Sequence, residues 1–432
     1  MRKINREILA LAIPSIITNI TTPLLALMDV VIVGHMGSPV YIAAIAVGGT
    51  MFNMLYWLFA FLRMGSSGLT AQAHGATDDN GARLVLIRGL LLGICASAII
   101  ILLNRAICRI ALDFMEVSDE TRELASQYFS ILVWGAPAVL CTYTLSGWFL
   151  GLKNAKAPMW ISFVINISNI LVSLTLVFVF NKKITGVATG TLIAQWVGFI
   201  LGIVIAMKKY NLHISPISPI LNTSELKRFF AINTDIFLRT LCLIAVTVWF
   251  TRVGSQQGTI ILAVNTLLMQ FFILFSYFMD GFAFAGESLC GNYIGSGDRH
   301  GLYLCVRWLF RWGVMMALMF SIIYFLFGSL LMNIMTADLS VIQASKDFYY
   351  WVVAIPFAGF ASFTWDGIFI GATQTRSMLI SMAVSTSAYF IIYHALFHSM
   401  GNHGLWMAFI AYLIMRGIVL TLFRNKIECR IH

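Results

Sequence analysis

"HGATDDNGARL" occupies residues 74–84, and "IGSGDRHGLYL" occupies residues 294–304. At a shift of 220, Gly75 meets Gly295, Asp78 meets Asp298, Gly81 meets Gly301 and Leu84 meets Leu304. The same shift lays "SGWFLGLKNAK" (146–156) over "DGIFIGATQTR" (366–376) through Gly147, Phe149 and Gly151 against Gly367, Phe369 and Gly371. It also lays Val33-Gly34 over Val253-Gly254, and Pro137 and Pro356 agree to within one residue. Matches in one order and one register mark an internal duplication, and the fold must be built twice.

The duplicated unit is a membrane bundle. The chain has 432 residues, 59% of them hydrophobic and 11% charged, far from soluble composition. A bilayer core takes about 20 apolar residues per helix, so the length allows roughly a dozen spans. Apolar runs fall near 8–33, 41–62, 82–104, 121–149, 157–181 and 184–207, and then near 229–253, 259–284, 302–333, 347–371, 377–399 and 402–423. They are continuous rather than alternating, which excludes a β-barrel pattern. The prediction is an all-α polytopic membrane protein with twelve transmembrane helices in two pseudo-symmetric six-helix bundles. Residues 1–208 form the first bundle, 209–228 a cytoplasmic linker and 229–432 the second.

Six spans per copy is an even number, so both copies enter the membrane from the same side as parallel repeats. Two such bundles with a cleft between them fit an alternating-access transporter. Lys and Arg set the orientation. Arg2, Lys3 and Arg6, the loops carrying Arg83, Lys153, Lys156, Lys208, Lys209, Lys227, Arg228, Arg299 and Arg376, and the tail with Arg424, Lys426 and Arg430 lie on one side. The positive-inside rule makes that side cytoplasmic, with both termini there. The net charge of +10 therefore reflects topology and contact with anionic lipid, not nucleic-acid binding. The N-terminal apolar run is too long for a signal-peptide core and reads as an uncleaved helix. The seven Cys are scattered without a CxxC pair, which fits buried hydrophobes rather than a disulfide or metal framework.

Function concentrates in the few polar residues of the spans. A carboxylate there costs about 2.5–3.5 kcal/mol on insertion scales and normally faces a cavity or a partner. Asp29, Asp235, Asp280, Glu287 and Asp366 lie in or at the ends of predicted spans. Asp29 has no basic residue within a turn or two, so it is a proton site, or a sodium ligand where oxygens converge. Ser162, Asn166, Asn169 and Ser173 follow at i, i+4, i+7 and i+11, one stripe on the fifth span, and Thr191 and Gln195 share a face of the sixth. Such a stripe is either a cavity wall or an interhelical seam. Pro14 and Pro23 kink the first span, and a kink upstream of a titrating acid can act as a hinge. Asp235 and Arg239, four apart, are expected to pair. Asp280, Glu287 and Asp366 suggest either a second ion or substrate site or an electrostatic lock.

His394 and His398 share a helix face, but the HExxH pattern of a zinc protease is missing, so no metal site is assigned. No P-loop or nucleophile elbow occurs, which leaves ATP-driven transport and serine hydrolysis without support. No enzymatic activity and no cofactor are expected.

"IPSIITNITTPLLALMDVVIVGHMG" (13–37), "FLRMGSSGLTAQAHGA" (61–76), "FSYFMDGFAFAGESLCGNYIGSGD" (275–298) and "FTWDGIFIGATQTR" (363–376) together resemble the multidrug and toxic compound extrusion (MATE) family, most closely its DinF-like branch. The resemblance spans essentially the whole chain. It implies a secondary antiporter of the bacterial inner membrane that exports amphipathic compounds in exchange for H⁺ or Na⁺, expected to act as a monomer. On that resemblance Asp29 falls on the proposed ion-binding acid, Pro14 on the proline whose bend answers ion binding, and Asn169 on the family's fifth-helix Asn. Ser173 stands where many relatives carry a second acid. Ser162, Asn166, Gln195, Asp280, Glu287 and Asp366 are the expected substrate-cavity residues. The alternative is a flippase for a lipid-linked precursor, which Arg239 and Arg416, set inside predicted spans, would favour. At the 220 shift the counterpart of Asp29 is Trp249, which points to the first bundle as the ion-coupled half.

Overall fold

The computed structural model describes residues 2–34, 39–115, 117–210 and 222–428. Twelve helices among them are long and apolar enough to cross a membrane. They are α1 (Lys3–Gly34), α2 (Val40–Gly75), α3 (Asp79–Leu102), α4 (Asp119–Gly151), α5 (Lys156–Val179) and α6 (Lys183–Tyr210). The second set is α7 (Thr223–Gln256), α8 (Thr259–Gly295), α9 (Arg299–Met335), α10 (Tyr349–Gly371), α11 (Thr375–Met400) and α12 (Asn402–Leu422). Most of the predicted linker, 211–221, lies outside the described residues.

Several helices outrun their apolar stretches. α2 continues past 62 to Gly75, and α8 continues past 284 to Gly295. The added turns, "RMGSSGLTAQAHG" and "AGESLCGNYIG", are rich in small and polar residues. Hydropathy falls there, but the helix is held by close packing. A Cβ on Gly147 would stand 2.1 Å from the Arg63 carbonyl oxygen, and one on Gly367 would stand 2.1 Å from that of Ala283. Both are backbone contacts without room for a side chain. Gly151 faces Ser67 and Ala71, and Gly371 faces Glu287 and Gly291, so the 220 register extends to the atoms each glycine touches.

The caps and turns repeat as well. Asp78 and Asp298 each accept a 2.8 Å bond from the backbone N–H three residues on, at Gly81 and Gly301. These are N-cap bonds that satisfy a free helix-end donor. The turns ahead of them hold Thr77 at φ 57° and Gly297 at φ 73°. The later turns hold Lys153 at φ 57° and Thr373 at φ 51°. A β-branched residue pays of order 1–3 kcal/mol in this left-handed region, whereas glycine does not. Thr77→Gly is therefore expected to raise thermal stability in detergent by about 0.5–1 kcal/mol, net of glycine's extra chain entropy. A lower melting temperature than wild type would show that Thr77 is not strained.

Contacts divide the chain into two compact units, 17–229 and 1–16 with 230–432. In the first, α2 packs on α4, α3 on α4, α5 on α6 and α4 on α6; in the second, α8 packs on α10, α9 on α10, α11 on α12 and α10 on α12. Each pairing is the other's equivalent one repeat on. The units differ from the sequence division at the N-terminus. Residues 2–16 pack with the later half: Trp312 Nε1 donates to Asn5 Oδ1 at 2.6 Å, Tyr293 Oη bonds Glu7 at 3.5 Å, and Gly281 admits Ile16 and the Ala12 carbonyl. α1 thus contributes to both units and passes from one to the other two residues after Pro14.

Candidate functional site

In the unit of 17–229, Asp29 lies one and a half turns before the end of α1 and is 3% exposed. Thr191 of α6 donates to Asp29 Oδ2 at 3.3 Å. Asn169 of α5 donates its amide N–H to the Thr191 hydroxyl at 2.8 Å. Ser173 sits one turn beyond Asn169, fully buried against Gly190, where a Cβ would fall 2.1 Å from Ser173 Oγ. Three helices therefore bring Asp29, Asn169, Ser173 and Thr191 into one sealed cluster.

Its hydrogen bonds do not close. Asp29 Oδ1, Asn169 Oδ1 and Ser173 Oγ are buried without a partner. The single Thr191 hydrogen is divided between Asp29 and the Val187 carbonyl, 3.1 Å away. Buried polar atoms are nearly always bonded, and each orphan costs about 1–3 kcal/mol. Orphans that are mostly acceptors, around a carboxylate that pairs with no Lys or Arg among the described residues, form a set that a proton or a small hard cation would satisfy. Tyr56 and Tyr128, both buried, stand nearby, and Tyr128 acts electrostatically on both Asp29 and Tyr56. Nothing in the sequence singled them out. A Cβ on Gly48 would meet the Tyr128 ring at 2.6 Å, so that glycine makes room for it.

The α5 stripe divides in two. Ser162 Oγ meets Thr21 Oγ1 at 3.3 Å, and Asn166 Nδ2 donates to the Thr21 carbonyl at 3.1 Å. This end is a seam between α1 and α5, while Asn169 and Ser173 form the other end beside Asp29. Just past Ser173, over Thr175–Val179, α5 widens to a π-helical turn, a feature frequent at functional sites. Gln195 packs its side-chain oxygen against Gly135, where α4 changes pitch, rather than bonding the cluster.

Three of the four positions are aromatic in the other unit, and Thr191 becomes Ala411. At the 220 shift Asp29, Asn169 and Ser173 become Trp249, Tyr389 and Tyr393. Trp249 meets Tyr393 edge-on at 5.9 Å and Phe390 at 5.5 Å. The scaffold is repeated there, and the oxygen cluster is not.

The second unit carries its charge elsewhere. Arg239 does not pair with Asp235. Its guanidinium and that of Arg416 both donate to Oδ2 of Asp366, joining α7, α10 and α12. Asp235 instead accepts from Thr375 at 3.0 Å and meets Arg376 at 3.5 Å. Sequence neighbours lose to a partner 127 residues away because Arg239 points into the bundle, where an unpaired charge is far costlier than near its end. Asp280 of α8 is half-buried and acts electrostatically on Arg416, and Glu287, two turns on, is buried. The Pro14 side chain is buried within an unbroken α1 helix.

A family model described as MatE matches residues 14–175 and again 234–395, two matches displaced by the same 220 residues. The chain is 36% identical to "DNA damage-inducible protein F" of Escherichia coli (strain K12), over 95% of this chain and 90% of that protein. It is 23% identical to a "Probable multidrug resistance protein NorM" of Bacillus cereus, over 93% of this chain and 90% of that one. Among solved structures, a crystal structure of MATE in the bent conformation matches with a TM-score of 0.86 at 21% identity, covering 99% of this chain and 96% of that one.

Proposed function

Because the chain belongs to the MatE family of membrane transporters, we propose that it exports amphipathic organic compounds by alternating access in exchange for H⁺, or Na⁺, bound at Asp29. The observation that carries this reading is the oxygen cluster of α1, α5 and α6 with its orphaned acceptors. An ion entering from outside neutralises Asp29 and satisfies Asn169 and Ser173. The neutralised site favours release of the exported molecule outward, and the carrier returns with Asp29 occupied. Pro14 supports a hinge role, since its ring removes a backbone bond of α1 just before the helix changes unit. For a substrate without net charge, one charge moving down 100 mV supplies about 2.3 kcal/mol, a concentration ratio of roughly fifty. The protein would reside as a monomer in a bacterial-type inner membrane, with both termini cytoplasmic and its apolar surface against lipid.

Export of a cationic dye by proteoliposomes carrying one imposed gradient at a time, proton or sodium, tests the reading. Export under neither gradient contradicts it. Ser173→Ala separates the two ions, because sodium needs several oxygen ligands and a proton needs one. With proton coupling, the variant is expected within about threefold of wild type. A loss beyond about tenfold, confined to the sodium gradient, assigns sodium.

A further inference from the structure

The cluster of Arg239, Asp366 and Arg416 holds two cations on one carboxylate oxygen. The side chains of Arg239, Asp366 and Arg416 are 7%, 10% and 4% exposed. Burying ions in a membrane bundle is costly, and here two cations share one acceptor oxygen. Most guanidinium donors are unspent: beyond Asp366, neither group bonds another side chain or carbonyl among the described residues. None of their nitrogens is among the buried side-chain atoms that lack a partner, so the unused donors keep a small accessible surface. Arg416 is held over the rings of Phe363 and Tyr412, at 5.9 and 5.5 Å, and the Tyr412 hydroxyl is turned to Met382 sulfur at 3.0 Å. The guanidinium is thus held beside two aromatic rings, and its planar fork suits two-pronged recognition of a carboxylate. Asp280, half-buried on α8, is the remaining acid that acts on Arg416.

We propose that Arg239 and Arg416, positioned by Asp366, form a subsite for the carboxylate of a transported amphiphile. This rests on the efflux reading and deepens it: the second unit favours substrates that carry a carboxylate, while the first unit handles the ion. The counterparts at the 220 shift are Asn19, Ser146 and Trp196, so the duplication does not supply this cluster in the other half.

The test uses two dyes that differ at one group, a rhodamine free acid (zwitterionic) and its ethyl ester (cationic), with the full chain in detergent. Fluorescence anisotropy is expected to show the free acid binding about tenfold more tightly than the ester, the range of one charge-assisted bidentate contact. Arg416→Met leaves a one-to-one Arg239–Asp366 pair and is expected to bring the two affinities to within about twofold. Equal binding of both dyes to wild type, or a preference that survives Arg416→Met, overturns the subsite while Asp29-dependent export of the ester leaves the efflux reading standing. If neither dye binds or is exported, both fall. The wild-type comparison needs no variant to fold.

Discussion

Asp29→Asn is expected to bring gradient-driven export of a cationic dye down to the background of empty vesicles, a fall of at least about tenfold, with the protein still folded. The reasoning is local. Asn keeps the size of the acid and an oxygen that can accept from Thr191, which now contacts Oδ2 at 3.3 Å. Its amide adds a donor to a cluster whose Asn169 Oδ1 and Ser173 Oγ have no partner. The variant therefore imitates the neutralised site and should melt no lower than wild type. What it lacks is a group that can take up and give back the ion. Export by Asp29→Asn at the wild-type rate would remove Asp29 from the mechanism.

The second large effect is on stability. Asp366→Asn is expected to destabilise the protein by about 3–5 kcal/mol, because two buried guanidiniums lose their shared counter-charge. The arginines are 7% and 4% exposed in their side chains, so water does little to replace it. Arg416→Met removes a charge but leaves a balanced pair, and should cost much less. Replacing all three by Met and Leu should regain most of the loss, as buried ion clusters give little net stability over apolar packing. Thermal melts followed by size-exclusion chromatography in detergent rank the three variants. Equal melting points for Asp366→Asn and Arg416→Met would show that the cluster does not act as one electrostatic unit.

Much of this architecture was legible in the sequence because the relevant signals are periodic. Twelve apolar runs gave twelve spans, and the 220-residue register gave the duplication down to Gly147 and Gly367. Asp29 was legible for the opposite reason: a lone carboxylate in an apolar run has few explanations. Other features depend on partners distant in sequence. The i, i+4 spacing of Asp235 and Arg239 is ordinary for a helical pair, and no local pattern reveals that Arg239 turns instead to Asp366. The α5 stripe read as uniform, yet its first half meets Thr21 and its second half lies by Asp29, since which neighbour a helix face meets is set by tertiary packing. The passage of α1 between units near Pro14 is likewise a property of contacts, and Tyr128 looked like any other aromatic of a membrane helix.

The central claim is that the cluster at Asp29 carries the ion that is exchanged for substrate. Its most direct test is substrate-induced ion movement in proteoliposomes without an imposed gradient. Adding a transported cationic dye to the side from which it is bound should drive H⁺ or Na⁺ the opposite way, recorded by a pH- or sodium-sensitive fluorophore in the lumen. The account predicts ion movement for wild type and none for Asp29→Asn at equal dye binding. Ion movement of wild-type size in Asp29→Asn, or dye transport by wild type with no ion movement, would contradict it.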